Sequence, residues 1–162
     1  MKVGLVHGRF QPFHNGHKFL VNKMLEECDI GVILIGSVGK EDKKNPLNLS
    51  NRMKIIKNLY KGNKNIFIGA NPDLDNPYHK NTPWAKFLSN HVLSLTGYLP
   101  THIYAGKDYG ISWKNHNVKI RKFSRFKKIS GTEVRNLIEN KKFDEAKCRI
   151  SDEAFHILSK SV

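Results

Sequence analysis

The sequence predicts an α/β fold built on a doubly wound, parallel, five-stranded sheet with small C-terminal helices. Three observations carry this reading. Short apolar runs alternate with helix-like stretches along the chain. The strongest run, Ile30-Gly31-Val32-Ile33-Leu34-Ile35, is almost wholly apolar, as a strand covered on both faces must be. The length of 162 residues suits one domain over 1–162 better than two.

Taken in order, Val3 to His7 forms the first expected strand and Gly16 to Glu27 the first helix. Ile30 to Ile35 is the second strand, and Asn48 to Lys61 a helix with Asn48 as its N-cap. Ile66-Phe67-Ile68 is a short third strand. Thr82 to Thr96 reads as a helix that Gly97 stops. His102 to Ala105 and the weaker Val118 to Arg121 complete the sheet. Gly131 to Asn140 and a stretch near Ser151 to Ser159 are the closing helices. In such sheets ligands bind beyond the carboxyl ends of the strands, where strand order reverses. The first strand-to-helix connection is therefore the first place to look for chemistry.

Composition narrows the setting. Cys28 and Cys148 form no spaced motif; one disulfide is formally open to them, but free thiols in a reducing compartment are simpler. The N-terminus reads as a strand, not a signal peptide, and no apolar run approaches the roughly 20 residues of a membrane span. A cytoplasmic protein is expected. Against 14 acidic residues stand 28 basic ones, a net charge of +14. Three readings of that charge stay open: nucleic-acid contact, steering of polyanionic substrates, and a lysine-rich solvated surface.

The loop after the first strand reads Gly8-Arg9-Phe10-Gln11-Pro12-Phe13-His14-Asn15-Gly16-His17. Gly8 lets backbone approach a ligand, and Pro12 stiffens the loop. If His17 lies in the first helical turn, its ring and the helix amides face one space that favours an anion. Two imidazoles can follow the growing charge of a phosphate, and Arg9 adds a fork matched to phosphate oxygens. The alternatives are a metal pair, for which no third ligand is near, and inert surface histidines. Phe10 and Phe13 read first as packing.

This segment resembles the HxGH signature of the nucleotidyltransferase superfamily, in the Gly-Arg-Phe-Gln-Pro form of the archaeal-type nicotinamide mononucleotide (NMN) adenylyltransferases. Cytidylyltransferases resemble Gly-Thr-Phe-Asp instead. A second segment, Ser130-Gly131-Thr132-Glu133-Val134-Arg135, is a capping box, Ser130 with Glu133, opening a helix. Its free amides, the Thr132 hydroxyl and Arg135 would cradle a polyphosphate. The segment also resembles the Ser-x-Thr-x-x-Arg motif of the same superfamily, in the same chain order.

The stretch Asn45-Pro46-Leu47-Asn48-Leu49-Ser50-Asn51-Arg52-Met53 resembles an Asn-Pro-Phe-Thr-x-x-x-Arg-Met segment of those adenylyltransferases. The resemblance puts Arg52 near substrate phosphates; spacing alone reads it equally as a surface helix arginine. By the same resemblance Asp73 touches base or ribose, and Trp84 stacks on the nicotinamide ring, a cation–π contact of ~1–2 kcal/mol. Core packing at a helix start is the other reading of Trp84. Gly106 would lie close to the adenosine. Lys107 reads as an exposed lysine or a phosphate contact, and His79 receives no role.

What the resemblance implies is a Rossmann-like enzyme that transfers AMP from ATP to NMN, giving NAD and pyrophosphate. His14, His17 and Arg135 would be catalytic. Gly8, Arg9, Phe10, Gly16, Gly106, Ser130, Thr132 and Arg135 would bind ATP, and Arg9, Arg52, Asp73 and Trp84 would bind NMN. Magnesium (Mg2+) would be held mainly by substrate oxygens and water. A homo-oligomer is expected, with no membrane partner and no fused hydrolase after Val162. The alternatives are another acceptor such as FMN or phosphopantetheine, a basic nucleic-acid-binding module, and an idle nucleotide sensor.

Overall fold

The computed structural model describes residues 1–72 and 82–161. In chain order the elements are β1 (Val3–Gly8), α1 (Asn15–Glu27), β2 (Ile30–Val38), α2 (Leu49–Leu59), β3 (Ile66–Pro72), α3 (Thr82–Thr96), β4 (His102–Gly106) and β5 (Lys119–Phe123). A 3-10 turn (Phe126–Lys128) leads into α4 (Gly131–Glu139), α5 (Phe143–Lys147) and α6 (Asp152–Leu158).

The five strands form one sheet in the order β3-β2-β1-β4-β5, every pairing parallel. The chain leaves β1 towards β2 and β3, then returns to build β4 and β5 on the other side. Strand order therefore reverses between β1 and β4, which opens a crevice above their carboxyl ends. The doubly wound parallel sheet expected from the sequence is the fold observed.

Alternation along the strands sends side chains to two cores. Val3, Leu5, Val32, Leu34 and Ile103 pack with Leu88 and Val92 of α3. Val6, Ile33, Ile35 and Tyr104 pack on the other face with α1, α2 and α4, through Val21, Met24, Ile55, Ile56 and Val134. Each fully buried aliphatic or aromatic side chain contributes about 1.5–3 kcal/mol. Both faces of β2 are covered, which is why its sequence lacks polar alternation.

The N-cap expected at Asn48 is present, its side chain accepting from the Asn51 N–H at 2.9 Å. Helix α3 ends as expected: Gly97 takes φ +78 and donates its N–H to Leu93 O at 2.8 Å. The departures are local. A bulge between Ile35 and Val38 lets β2 run on past Gly36. Strand β5 starts one residue later than expected and ends at Phe123; it is a largely exposed edge strand, whose sequence carries little apolar signal. The five-residue α5 was not expected, being too short for a helical period to show. Cys28 and Cys148 are free thiols. Among the described residues, no helix is long and apolar enough to cross a membrane.

Candidate active site

The loop after β1 turns into α1 through its two histidines. His14 is the N-cap, in extended conformation, and its side chain accepts from the Gly16 N–H at 3.1 Å. The His17 Nδ1 accepts from the His14 N–H at 3.2 Å. Two imidazoles thus fill the reciprocal capping roles that serine and glutamate usually fill. Their rings stack, with centroids 3.7 Å apart and planes 18° from parallel.

This geometry fixes their chemistry. Each Nδ1 faces a backbone donor, so it must be the acceptor, and the neutral ring carries its proton on Nε2. Burial, with the Arg125 charge second, lowers His14 to a pKa of about 4. Burial, then the neighbouring His14, holds His17 well below the ordinary imidazole value. Both are neutral at pH 7 and present Nε2–H donors. Phe10 and Phe13 take the packing role. Phe10 is 1% exposed and meets the His17 ring edge-on at 4.9 Å, while Phe13 lies tilted against it at 5.4 Å. Of the expected ATP contacts, Phe10 can therefore offer backbone only.

The second half of the site comes from α4. Ser130 is its N-cap, the Oγ accepting from the Glu133 N–H at 3.1 Å. The expected capping box is only half formed. The Glu133 carboxylate pairs instead with Arg149 at 2.8 Å, since α5 and the turn after it bring that cation alongside. Arg135 is largely buried, and its Nη1 donates to Gln11 O at 2.6 Å. Its Nη2 donates to the Thr132 Oγ1 at 3.2 Å. Gly131 permits this approach: a Cβ there would stand 2.9 Å from Gln11 O and 3.3 Å from Arg135 Nη1. The start of α4 and the loop before α1 therefore form one wall, which joins the two motifs.

The charge on that wall is mainly positive: Arg9 acts on Arg135 more strongly than the carboxylates of Glu139 and Asp42 do. Burial, followed by the charge of Arg9, pushes the Arg135 pKa down, although a guanidinium stays protonated. Arg9 is exposed and reaches the Asn45 Oδ1 through a long contact of 3.5 Å. Asn45 is itself oriented by the Asp42 Oδ1, which receives its N–H and Nδ2. Neighbouring guanidiniums beside two neutral imidazole donors and two helix N-termini make a receptor for a polyanion.

The surface reading that spacing alone gives Arg52 is excluded, because the residue is 1% exposed. Its Nη1 donates to Gly36 O at 2.6 Å and Arg9 O at 2.9 Å, and its Nη2 to Ser37 O at 3.2 Å. The guanidinium is thus committed to main-chain carbonyls, clamping the loop after β1 to the end of β2. Trp84 packs in the core, 3% exposed, stacked on Phe87 at 5.6 Å with the His7 ring edge-on at 5.8 Å. Among the described residues, core packing surrounds the indole. Asp73 and His79 lie outside the described residues. Gly106 ends β4 in open space, and Lys107 beside it is exposed.

Two groups went unassigned from the sequence. Gln11 is 4% exposed; its Nε2 donates to Leu47 O at 2.8 Å and its Oε1 accepts from the Leu47 N–H at 2.9 Å. Arg125 places its charge on His14, but in sequence it is one cation in a basic run. Nothing in a linear sequence announces either pairing. Among the described residues, no group of three or more histidines, cysteines and carboxylates is gathered as a metal site.

Comparison with known proteins agrees with this geometry. The profile of the family described as cytidylyltransferase-like matches residues 5–137. A nicotinamide-nucleotide adenylyltransferase of Methanococcus vannielii is 35% identical over 133 residues, covering 79% of this chain and 72% of that protein. One from Halorubrum lacusprofundi is 30% identical over 134 residues, 82% of this chain but 64% of its own length. In structure, a bifunctional NMN adenylyltransferase/ADP ribose pyrophosphatase from Francisella tularensis superposes with a TM-score of 0.75 at 20% identity. That match covers 98% of this chain and 49% of the Francisella chain, and it speaks for the fold alone. With the profile spanning most of the chain and the two motifs meeting in one wall, the protein belongs to the cytidylyltransferase-like nucleotidyltransferases and, among them, to the archaeal-type nicotinamide-nucleotide adenylyltransferases.

Proposed function

We propose that the protein transfers the adenylyl group of ATP to the 5′-phosphate of NMN, forming NAD and releasing pyrophosphate. The observation that carries this reading is the Arg135 to Gln11 bond, which puts the α4 start and the histidine loop in one cradle. A phosphate oxygen of the mononucleotide attacks the α-phosphorus of ATP in line. The bond from that phosphorus to the bridging oxygen breaks, and pyrophosphate leaves with the electron pair.

No protein nucleophile is needed, because the attacking group is already an anion. The obstacle is bringing two anions together, so catalysis rests on positioning and on charge stabilisation. His14 and His17 donate Nε2–H to the α-phosphate as charge grows there. Arg135, Thr132 and Ser130 hold the departing pyrophosphate, and Arg9 lies between the two substrates. Arg52 acts by holding the Arg9 peptide. Gly8 and Gly106, at the ends of β1 and β4, leave room for the nucleoside. Magnesium would enter as the counter-ion of the triphosphate, held by phosphate oxygens and water, because the protein groups facing the phosphates are donors and cations and supply no metal ligand; it would contribute charge neutralisation. The names of the relatives support the nicotinamide acceptor.

The test is pyrophosphate release with ATP, magnesium and a panel of acceptors: NMN, nicotinic acid mononucleotide, FMN and phosphopantetheine. NAD formation from NMN at a rate well above the others is expected. Release with another acceptor alone would overturn the choice of substrate, and no release with any acceptor would overturn the enzyme reading. The cytoplasmic setting and the homo-oligomer belong to the same proposal, and light scattering of the purified protein reads the oligomer.

A further inference from the structure

We propose that Gln11 is a positioning residue that sets the spacing between the two sides of the phosphate cradle; the inference rests on the adenylyltransferase reading above. Gln11 lies in the histidine loop but has no open surface to offer a substrate, being 4% exposed. Its side chain makes a two-point clasp on one peptide unit of another segment, giving Nε2–H to Leu47 O and taking the Leu47 N–H on Oε1. Leu47 directly precedes Asn48, the cap of α2, and α2 carries Arg52. Through its main-chain oxygen the same residue receives the Nη1 of Arg135.

One residue therefore ties three segments together: the loop before α1, the approach to α2, and the start of α4. Two of these ties are made by groups that would otherwise be buried and unsatisfied, namely the Leu47 N–H and C=O. The third orients the cation that faces the leaving group. Arg52 repeats the tie two residues earlier, holding the carbonyl of Arg9. The loop is pinned on both sides, and its histidines sit at a fixed distance from Arg135. In-line transfer is sensitive to such spacing: a displacement of about 1 Å costs on the order of 10²-fold in rate.

The test replaces Gln11 with methionine, which keeps length and volume and removes both hydrogen bonds, and with asparagine, which keeps the amide but is one carbon too short to span the clasp. Pyrophosphate release and NAD formation are followed at a temperature where circular dichroism shows each variant fully folded. Hydrogen exchange of the 45–49 segment is measured in parallel. For both variants the turnover number is expected to fall about 10–100-fold, with KM for ATP and acceptor changed by less than about threefold, and the Leu47 amide should exchange faster. A merely structural role would lower Tm and leave turnover of the folded fraction intact. A folded variant with turnover within twofold of the parent overturns the inference, as does a loss that disappears on cooling. A parent protein that releases no pyrophosphate with any acceptor overturns the function reading and this inference together, whereas an active parent with an equally active variant overturns only this one.

Discussion

Arg135 and Gln11 are 124 positions apart in the chain, yet the guanidinium of one donates to the main-chain oxygen of the other at 2.6 Å. The second arm of the same guanidinium reaches Thr132. Lysine at this position keeps the charge but cannot span both partners. Arg135→Lys is therefore expected to lower turnover about 10–100-fold and to reduce Tm, because Gln11 O loses its donor in a buried place. Steady-state kinetics with thermal denaturation checks both effects. A variant with unchanged turnover would remove Arg135 from the leaving-group role.

His17→Ala is expected to reduce turnover by roughly 10²–10³-fold, the loss of one transition-state donor. It also removes the acceptor for the His14 N–H, so about 1 kcal/mol of stability should go with it. Urea titration and single-turnover rates separate the two effects. Near-normal turnover in the folded variant would contradict the assignment.

The histidines also give a pH dependence with a definite sign. Folding lowers the His14 pKa from 6.5 to about 4, so between those values the unfolded chain binds the extra proton. Stability is fully present above pH 6.5 and is lost as the pH falls towards 4, by on the order of 3 kcal/mol from this group. His17 shifts in the same direction and adds to the loss. Chemical denaturation at pH 7.5 and at pH 5 measures it; equal stabilities would contradict the buried, capping role. Because the neutral rings are the donors, turnover should not decline between pH 7 and 8.5.

Arg52→Ala strips donors from the carbonyls of Arg9, Gly36 and Ser37. Each orphaned carbonyl costs about 1–3 kcal/mol, so a loss of about 3 kcal/mol or more is expected from denaturant titration. A phosphate-binding arginine with no scaffold duty would instead raise KM and leave stability untouched.

Trp84→Phe tests the packing role of the indole. A core position should lose about 1–3 kcal/mol of stability while KM for the acceptor stays within about twofold. A tenfold rise in KM at unchanged stability would restore the stacking role suggested by resemblance.

Much of this molecule is legible along the chain, and the limits have physical reasons. Ile30 to Ile35 announces a doubly covered strand, and Gly97 and Asn48 mark helix ends, because these signals are local. His14 and His17 stand out because both fall, with Arg9 and two glycines, in the one strand-to-helix loop where such a sheet binds its ligands. Arg52 could be read two ways because three of the carbonyls it holds lie 15 to 43 residues distant, and carbonyls leave no trace in a sequence. The same holds for the clasp of Gln11 on Leu47. Glu133 reads as the second half of a capping box for a related reason: its competing partner, Arg149, arrives through the short α5, which has no sequence period.

Amide hydrogen exchange with a non-hydrolysable ATP analogue tests most directly whether the histidine loop and α4 hold one triphosphate. Segments 8–17 and 130–135 should slow together on adding the analogue with magnesium, over one shared concentration range. Protection confined to one of the two, or arising at separate concentrations, would mean that they do not form a single site.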